Sequence, residues 1–273
     1  MNQSKILTLL SDFGDHDVYV GVMKGVIAQI NPNLLLIDLT HQIPPQNIPA
    51  ARFCLMNSYA YFPMGTVHLA VVDPGVGSQR RAIALKLAQG YLVGPDNGIF
   101  SGIISQNPVI AAVELTNTNY WRTPQPSSTF HGRDIFAPVA AHLASGVNLQ
   151  ELGREINPET LVKLNIGECY LTNTGVAGCI QYIDHFGNLV SNIPGSYVQG
   201  KTWGVEVQGL TIPGCATYSD VKAGEALALI GSHGWVEIAV NGGNAQIQLQ
   251  INGQYDLHHF TLRLIQQLPD FKK

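Results

Sequence analysis

Charge is what this chain has least of. Lys, Arg, Asp and Glu make up 12% of its 273 residues, about half the usual share of a globular domain. So little charge means little solvated surface, and part of the outside is expected to be covered by other subunits. The formal net charge is −4 and no basic block occurs. Non-specific nucleic-acid binding needs clustered Lys and Arg, so nucleic acid is excluded as a partner. An anionic membrane surface is excluded on the same ground. No run approaches the ~18 apolar residues of a membrane span. Residues 1–10 are short and pass straight into a strand-like pattern, which reads as fold and not as a signal peptide. Cysteine is sparse: Cys54, Cys169, Cys179 and Cys215 form no C-x-x-C pair. They read as scattered thiols of a reducing cytosol, with a Cys169–Cys179 contact across neighbouring strands left open. There is no H-x-x-x-H or H-E-x-x-H pattern and hence no expected metal site. There is no G-x-S-x-G elbow for a serine nucleophile, and no Gly-Lys-Ser/Thr follows Gly75-Val76-Gly77, so that loop is not a phosphate loop.

What is present falls into two textures. In residues 1–156 continuous apolar strands alternate with helices. Strands are expected at residues 6–10, 34–39 and 66–72, and a hairpin at 82–87 and 90–93. Helices are expected over 18–30 (Val18, Val22, Val26 and Ile30 one turn apart), 49–61 with Pro49 in the first turn, 97–105 and 135–143. This pattern predicts an α/β sandwich around a mostly parallel sheet covered on both faces. From about Ile156-Asn157-Pro158 onward, short strands follow at close spacing: 168–171, 175–183, 202–207, 226–230, 235–240 and 245–251. They predict a small β-barrel over 157–273, closed by a terminal helix, His258–Gln267.

Four polar clusters sit where such folds build sites. The apolar run Thr66–Val72 ends at Asp73, followed by Pro74-Gly75-Val76-Gly77 and then Arg80-Arg81. A strand that delivers a carboxylate to its edge and turns into glycines is a common site geometry in open α/β sheets. Asp73 and Arg80 form either a structural ion pair or a reacting carboxylate with a cation beside it. Asp12, after the first strand, is either an acceptor for ribose hydroxyls or a helix cap. Asp15 and Asp17 read as first-turn acids. His131, in Phe130-His131-Gly132-Arg133-Asp134, is either a proton-handling group or a cap, and Arg133-Asp134 reads as a local ion pair. Asp184 and Asn188 flank a turn. An Asn amide matches an adenine edge, but the same residues serve turns. That alternative applies equally to Gly231-Ser232-His233-Gly234 and Asn241-Gly242-Gly243-Asn244.

In order, Leu-Ser-Asp-Phe-Gly, Tyr-Val-Gly-Val-Met-Lys-Gly, Val-Val-Asp-Pro-Gly-Val-Gly, Gly-Pro-Asp-Asn-Gly, Thr-Phe-His-Gly-Arg-Asp, Ile-Asp-His-Phe-Gly-Asn and Ala-Val-Asn-Gly-Gly-Asn-Ala resemble one family across nearly the whole chain. It is the S-adenosyl-L-methionine (SAM) hydroxide adenosyltransferases, the adenosine-forming SAM hydrolases, related to fluorinase and chlorinase. The resemblance implies hydrolysis of SAM to adenosine and L-methionine by a cytoplasmic homotrimer with sites between subunits, and it implies no cofactor. It places the catalytic set on Asp73, Arg80 and His131 and the ribose-holding carboxylate on Asp12. Methionine contacts fall on Asp17, Asp184 and Ser232. Adenine contacts fall on Asn188 and the Asn241-Gly242 backbone. His233 stands where the halogenases carry arginine. Asp73 stands where they carry tyrosine, and their long inserted loop is missing. Both features favour water as the nucleophile. The alternatives are a SAM-dependent halogenase, a SAM- or adenosine-binding protein with negligible turnover, and a purely structural trimer.

Overall fold

The computed structural model describes residues 5–173, 175–251 and 261–265. The chain divides into two compact units between Leu164 and Asn165, a little beyond the change of texture at Ile156–Pro158. Residues 157–164 are tied to the first unit by hydrogen bonds. Arg81 reaches Thr160 Oγ1 at 2.9 Å, Val162 N donates to Asp96 at 2.9 Å and Leu164 N to Ser101 Oγ at 3.2 Å.

The first unit carries β1 (Ile6–Ser11), α1 (Tyr19–Ile30), β2 (Leu35–Thr40), α2 (Ile48–Tyr59), β3 (Thr66–Val71), β4 (Ala82–Lys86), β5 (Gly90–Pro95), α3 (Ser101–Ile104), β6 (Ala111–Glu114), α4 (Ala137–Ala144) and β7 (Arg154–Glu155). Its sheet runs β2-β1-β3-β5-β4-β6-β7. The β2, β1, β3 and β5 neighbours are parallel and the remaining pairs antiparallel. Alternate residues of a strand face opposite sides. Leu7, Leu9, Val67, Leu69 and Val71 pack with Met23 and Ile27 of α1 and Val139, Ala140 and Leu143 of α4. On the other face His68 meets the Tyr59 ring of α2. β3 is buried along its whole length, as a strand covered on both faces must be. In register Ser11 sits beside Val71, so the residues just beyond, Asp12 and Asp73, leave the sheet at one edge.

The second unit carries β8 (Tyr170–Thr172), β9 (Gly175–Ile183), β10 (Leu189–Pro194), β11 (Gly204–Val207), β12 (Leu210–Pro213), β13 (Ala226–Ile230), β14 (Trp235–Val240), α5 (Ala245–Gln248) and β15 (Thr261–Ile265). The order is β12-β11-β15-β9-β10-β14-β13 with β8 on β9, and these pairs are antiparallel. A single bridge from Gly214 to Ala228 links the two ends, making a nearly closed barrel. Val176, Ile180, Ile193, Val205, Val236 and Ile238 fill it.

Several local expectations are corrected. The α1 stripe is rotated: Val18 is 73% exposed, whereas Met23, Val26 and Ile27 are buried. The helix at 97–105 shrinks to α3, because Asn97 turns its side chain onto Val72 O at 2.8 Å instead of entering the helix. The strand expected at 245–251 begins as helix α5, capped by Asn244, whose side chain accepts from Ile247 N at 2.9 Å. The terminal helix is strand over Thr261–Ile265, where Arg263 is exposed and Leu264 buried in a strand's alternation. The rest of that expected helix, His258 and His259 included, lies outside the described residues. Strands β6, β10 and β12 were not expected, being four to six residues long and bounded by weak turn signals. The four cysteines are thiols, and that of Cys179 donates to Ile166 O at 2.9 Å.

Candidate active site

Asp73 leaves the buried β3 and turns at once through Pro74 to Gly77. Gly77 has φ 77°, and a Cβ there would stand 2.4 Å from Ser128 O. Only glycine lets this loop lie against the segment that leads to His131. Arg80 then returns over Asp73. Its Nε donates to Oδ1 at 2.9 Å and Oδ2 at 3.1 Å, and its Nη2 donates to Oδ2 at 2.5 Å. The pair is nearly buried, and the guanidinium lies 5.2 Å from the centre of the Phe136 ring. Removing one partner of such a pair typically costs about 3–5 kcal/mol, because the other charge is stranded.

The same Nη2 reaches His131 Nδ1 at 2.7 Å. Arginine only donates, so Nδ1 is the acceptor and the neutral ring carries its hydrogen on Nε2. Burial, and then the Arg80 cation, hold the His131 pKa below its ordinary value, while the Asp73 and Asp134 carboxylates partly offset them. His131 precedes a π-helical turn, Gly132–Phe136, which leads into α4. Such turns recur at functional sites because they re-aim side chains. Asp134, fully buried inside this turn, anchors it. It accepts from Arg122 Nε at 2.5 Å, Arg133 Nε and Nη2 at 2.7 Å, and Ser127 N at 2.9 Å. Burial opposes its charge, but these donors prevail and hold its carboxyl far below the usual range.

Asp12 accepts from Gln46 N at 2.8 Å. Gln46 has φ 64°, a strained left-handed backbone for a non-glycine, held where its N–H meets the carboxylate. Burial pushes the Asp12 pKa up and the nearby Asp73 charge adds to the rise, while the Gln46 and Asp12 backbone N–H groups pull it down. Asp12, Asp73, Arg80 and His131 thus form one cluster. Asp17 is exposed, just ahead of α1.

In the second unit Asp184 and Asn188 hold one another. Asp184 Oδ1 accepts from Phe186 N at 2.9 Å and Asn188 N at 2.8 Å, and Oδ2 accepts from the Asn188 amide at 2.9 Å. Gly187, at φ 82°, lies against Asn244, which joins this turn to the loop after β14. Asn241 is engaged there: its N–H donates to Glu225 O at 3.0 Å and its side chain to Val221 O at 2.9 Å. Gly242 is exposed with φ 68°. Ser232 is exposed in the β13–β14 turn, at the other end of β10 from Asn188. His233, beside it, turns inward. Its Nδ1 accepts from Trp235 N at 3.1 Å and its Nε2 meets Glu237 Oε2 at 3.0 Å, while Tyr218 donates to Glu237 Oε1 at 2.8 Å.

Sequence reading passed over Gln46, Tyr218 and Glu237. A buried acid inside the apolar strand Trp235–Val240 was a readable signal for Glu237. Gln46 contributes only its backbone, which no side-chain pattern reveals.

The model of the SAM hydroxide adenosyltransferase N-terminal domain matches residues 7–153 and that of its C-terminal domain residues 178–257. The chain is 41% identical over 240 residues to a (R)-S-adenosyl-L-methionine hydrolase of Salinispora tropica, covering 88% of this chain and 91% of that one. A fluorinase of an Actinoplanes species is more distant, at 28% identity over 88% of this chain and 92% of its own. The crystal structure of an uncharacterised conserved protein from Thermotoga maritima superposes with a TM-score of 0.86 at 34% identity, covering 94% and 99% of the two chains. With both domain models matched in order along these two units, the chain belongs to the SAM hydroxide adenosyltransferase family.

Proposed function

We propose that this protein is an enzyme that hydrolyses SAM to adenosine and L-methionine, with Asp73, Arg80 and His131 at the reacting centre. The observation that carries the reading is the nearly buried Asp73–Arg80 pair, with Arg80 bonded also to the half-buried His131. The leaving group departs from a sulfonium as a neutral thioether, so no general acid is needed. What the protein must supply is an oxygen nucleophile in line with the C5′–S bond. Arg80 places a fixed cation where hydroxide would form. Neutral His131 keeps Nε2–H as a donor to the attacking oxygen. Asp73 Oδ1, which among the described residues accepts only from Arg80 Nε, retains a second lone pair able to orient a water or accept its proton. As O–C5′ forms, the C5′–S electron pair returns to sulfur and one proton is released. Holding water in that line contributes up to about 7–11 kcal/mol in well-oriented models.

Asp12 is read as the acceptor of the ribose hydroxyls. Asp17, Asp184 and Ser232 serve the methionine end, and Asn188 with the Asn241-Gly242 backbone serves the adenine. His233 is turned onto Glu237, which leaves carboxylate recognition to backbone N–H groups of the Gly231–Gly234 turn. The reading includes a cytoplasmic homotrimer with sites at subunit interfaces. Support comes from the low charge and from Phe186 and Ile247, 72% and 74% exposed beside the adenine loops. Light scattering should give three times the 29.5 kDa of one chain. Among the described residues no helix is long and apolar enough to cross a membrane.

Incubation with SAM in oxygen-18 water, read by mass spectrometry, tests the reaction. Labelled adenosine with free methionine is expected. Intact SAM would leave a binding protein. Halide-dependent release of a 5′-halo-nucleoside would establish the second reading, which the fluorinase likeness supports.

A further inference from the structure

We infer that His41 is a positioning residue for the ribose end of the site, acting through Ser11 on the loop that carries Asp12. The inference rests on the ribose role proposed for Asp12. The β1–β2 ladder slips by one residue between Leu9 and Leu10, so that Leu10 pairs with Thr40, and the regular pairing ends there. His41, the next residue along β2, takes over by other means. Its ring Nδ1 meets Ser11 Oγ at 2.7 Å, and its carbonyl accepts Gly14 N–H at 2.8 Å. The residue before Asp12 and the residue two beyond it are therefore both fastened to His41. The loop that His41 opens then supplies Gln46 N–H to the Asp12 carboxylate itself.

The donor directions are fixed along this chain. The Asp38 carboxylate only accepts, so His41 Nε2 is the donor there; in the neutral ring Nδ1 then accepts the Ser11 hydroxyl, whose oxygen also accepts from Phe13 N at 3.3 Å. His41 then carries its hydrogen on Nε2 and donates to Asp38 Oδ1 at 3.1 Å, and Asp38 Oδ2 receives Lys24 Nζ at 2.5 Å. Burial works against the Asp38 charge, but the Lys24 and His41 hydrogen bonds outweigh it and hold its carboxyl below the usual value. The relay runs from a half-exposed ion pair to the fully buried Ser11. Nothing in it touches the reacting centre. What it fixes is the direction in which Asp12 leaves β1. A carboxylate that receives two vicinal hydroxyls has one productive orientation, and displacements near 1 Å in such positioning can cost about 100-fold.

The test is calorimetry on the full chain with adenosine and with 2′,3′-dideoxyadenosine, which lacks both hydroxyls. The wild-type protein should prefer adenosine by about 100-fold. His41→Leu should reduce that ratio about tenfold and raise KM for SAM, with kcat within about twofold. His41→Asn, whose amide oxygen takes the place of Nδ1, should restore most of the ratio. Ser11→Ala removes the same bond from its other end and should reproduce the loss, which keeps the inference testable if His41→Leu does not fold. A purely structural His41 would lower Tm without changing the ratio, and an unchanged ratio in folded His41→Leu or Ser11→Ala would overturn the inference. A wild-type ratio near one would instead overturn the ribose role of Asp12 and, with it, the ground on which the inference stands.

Discussion

In the first unit the side chains proposed for the chemistry come from a strand end, a loop and the start of a helical turn, and hold one another by charge. In the second they belong to turns that satisfy themselves through backbone groups. Asp73, Arg80 and His131 come from three places in the sequence and meet through charge-assisted bonds, whereas Asp184 and Asn188 close a single five-residue turn. The first arrangement fixes protonation states and charge positions, which is what a developing hydroxide needs. The second fixes shape and presents N–H groups, which is what an amino acid and a purine edge need. Substitutions at Asp73, Arg80 and His131 should therefore act on rate, and those in the turns of the second unit on affinity.

The largest effect expected from that contrast is on turnover. Asp73→Asn keeps the shape and leaves one oxygen to accept from Arg80, but it strands the Arg80 charge, so turnover is read on protein whose folding has been checked by urea unfolding. Steady-state kinetics should show kcat reduced by about 10²–10⁴ with SAM affinity nearly intact. Turnover at the wild-type rate would remove Asp73 from the reacting centre.

The two units should also differ in their response to acid. His68, in the first unit, is fully buried between Tyr59 and Phe62, and burial lowers its pKa to about 4. As pH falls through 6.5 the unfolded chain takes up that proton before the folded one does. The stability is therefore present above 6.5 and is lost progressively down to about 4, on the order of 3 kcal/mol in all. His131 and His142, also lowered, act in the same direction. In the second unit burial, then the Glu237 hydrogen bond and charge, push Tyr218 up to about 12. The stability tied to its neutral form is present below 10 and is lost only as pH rises toward that value. Hydrogen exchange at pH 4.5 should open first-unit amides first, whereas at high pH Tyr59 of the first unit, also raised by burial, loses stability in the same direction as Tyr218. Equal opening of the two units at pH 4.5 would refute the contrast.

A smaller effect separates the binding roles. Asp12→Ala should weaken adenosine about 100-fold, as expected for lost charge-assisted bonds of about 1.5–3 kcal/mol each. Asn188→Ala, which loses one neutral amide contact, should weaken it about tenfold or less. Comparable losses from both would mean that the ribose carboxylate is not dominant.

The alternation of apolar strands and helices made the first sheet legible, because strands buried on both faces leave unbroken runs such as Thr66–Val72. Asp12, Asp73 and Asp184 were legible as acids at strand ends. Whether Asp73 and Arg80 were an ion pair or a reacting set could not be decided from spacing, and the structure shows a pair that also grips His131. Short segments were less legible. Thr261–Ile265 and Ala245–Gln248 each carry too few residues for periodicity to separate helix from strand. The strained N–H of Gln46 and the inward turn of His233 depend on backbone direction and on distant partners, and neither is written in residue type.

Glycine substitution gives the finest comparison of the two units. Gly77 and Gly187 both have left-handed backbones, φ 77° and 82°, and both lie against a neighbour. A Cβ on Gly77 would meet the main-chain oxygen of Ser128, fixed by the loop that leads to the π-helical turn. A Cβ on Gly187 would meet the side chain of Asn244, which can swing away at the loss of its cap on α5. Both alanine variants bear the left-handed strain of about 1 kcal/mol. Only Gly77→Ala must also displace backbone, so its urea midpoint should correspond to about 1–2 kcal/mol greater loss, and its kcat should fall as His131 shifts from Arg80. Gly187→Ala should leave kcat near the wild-type value and raise KM. Should Gly187→Ala instead slow turnover as much as Gly77→Ala, the division between a rate-setting Asp73–Arg80–His131 cluster and affinity-setting turns in the second unit would not hold.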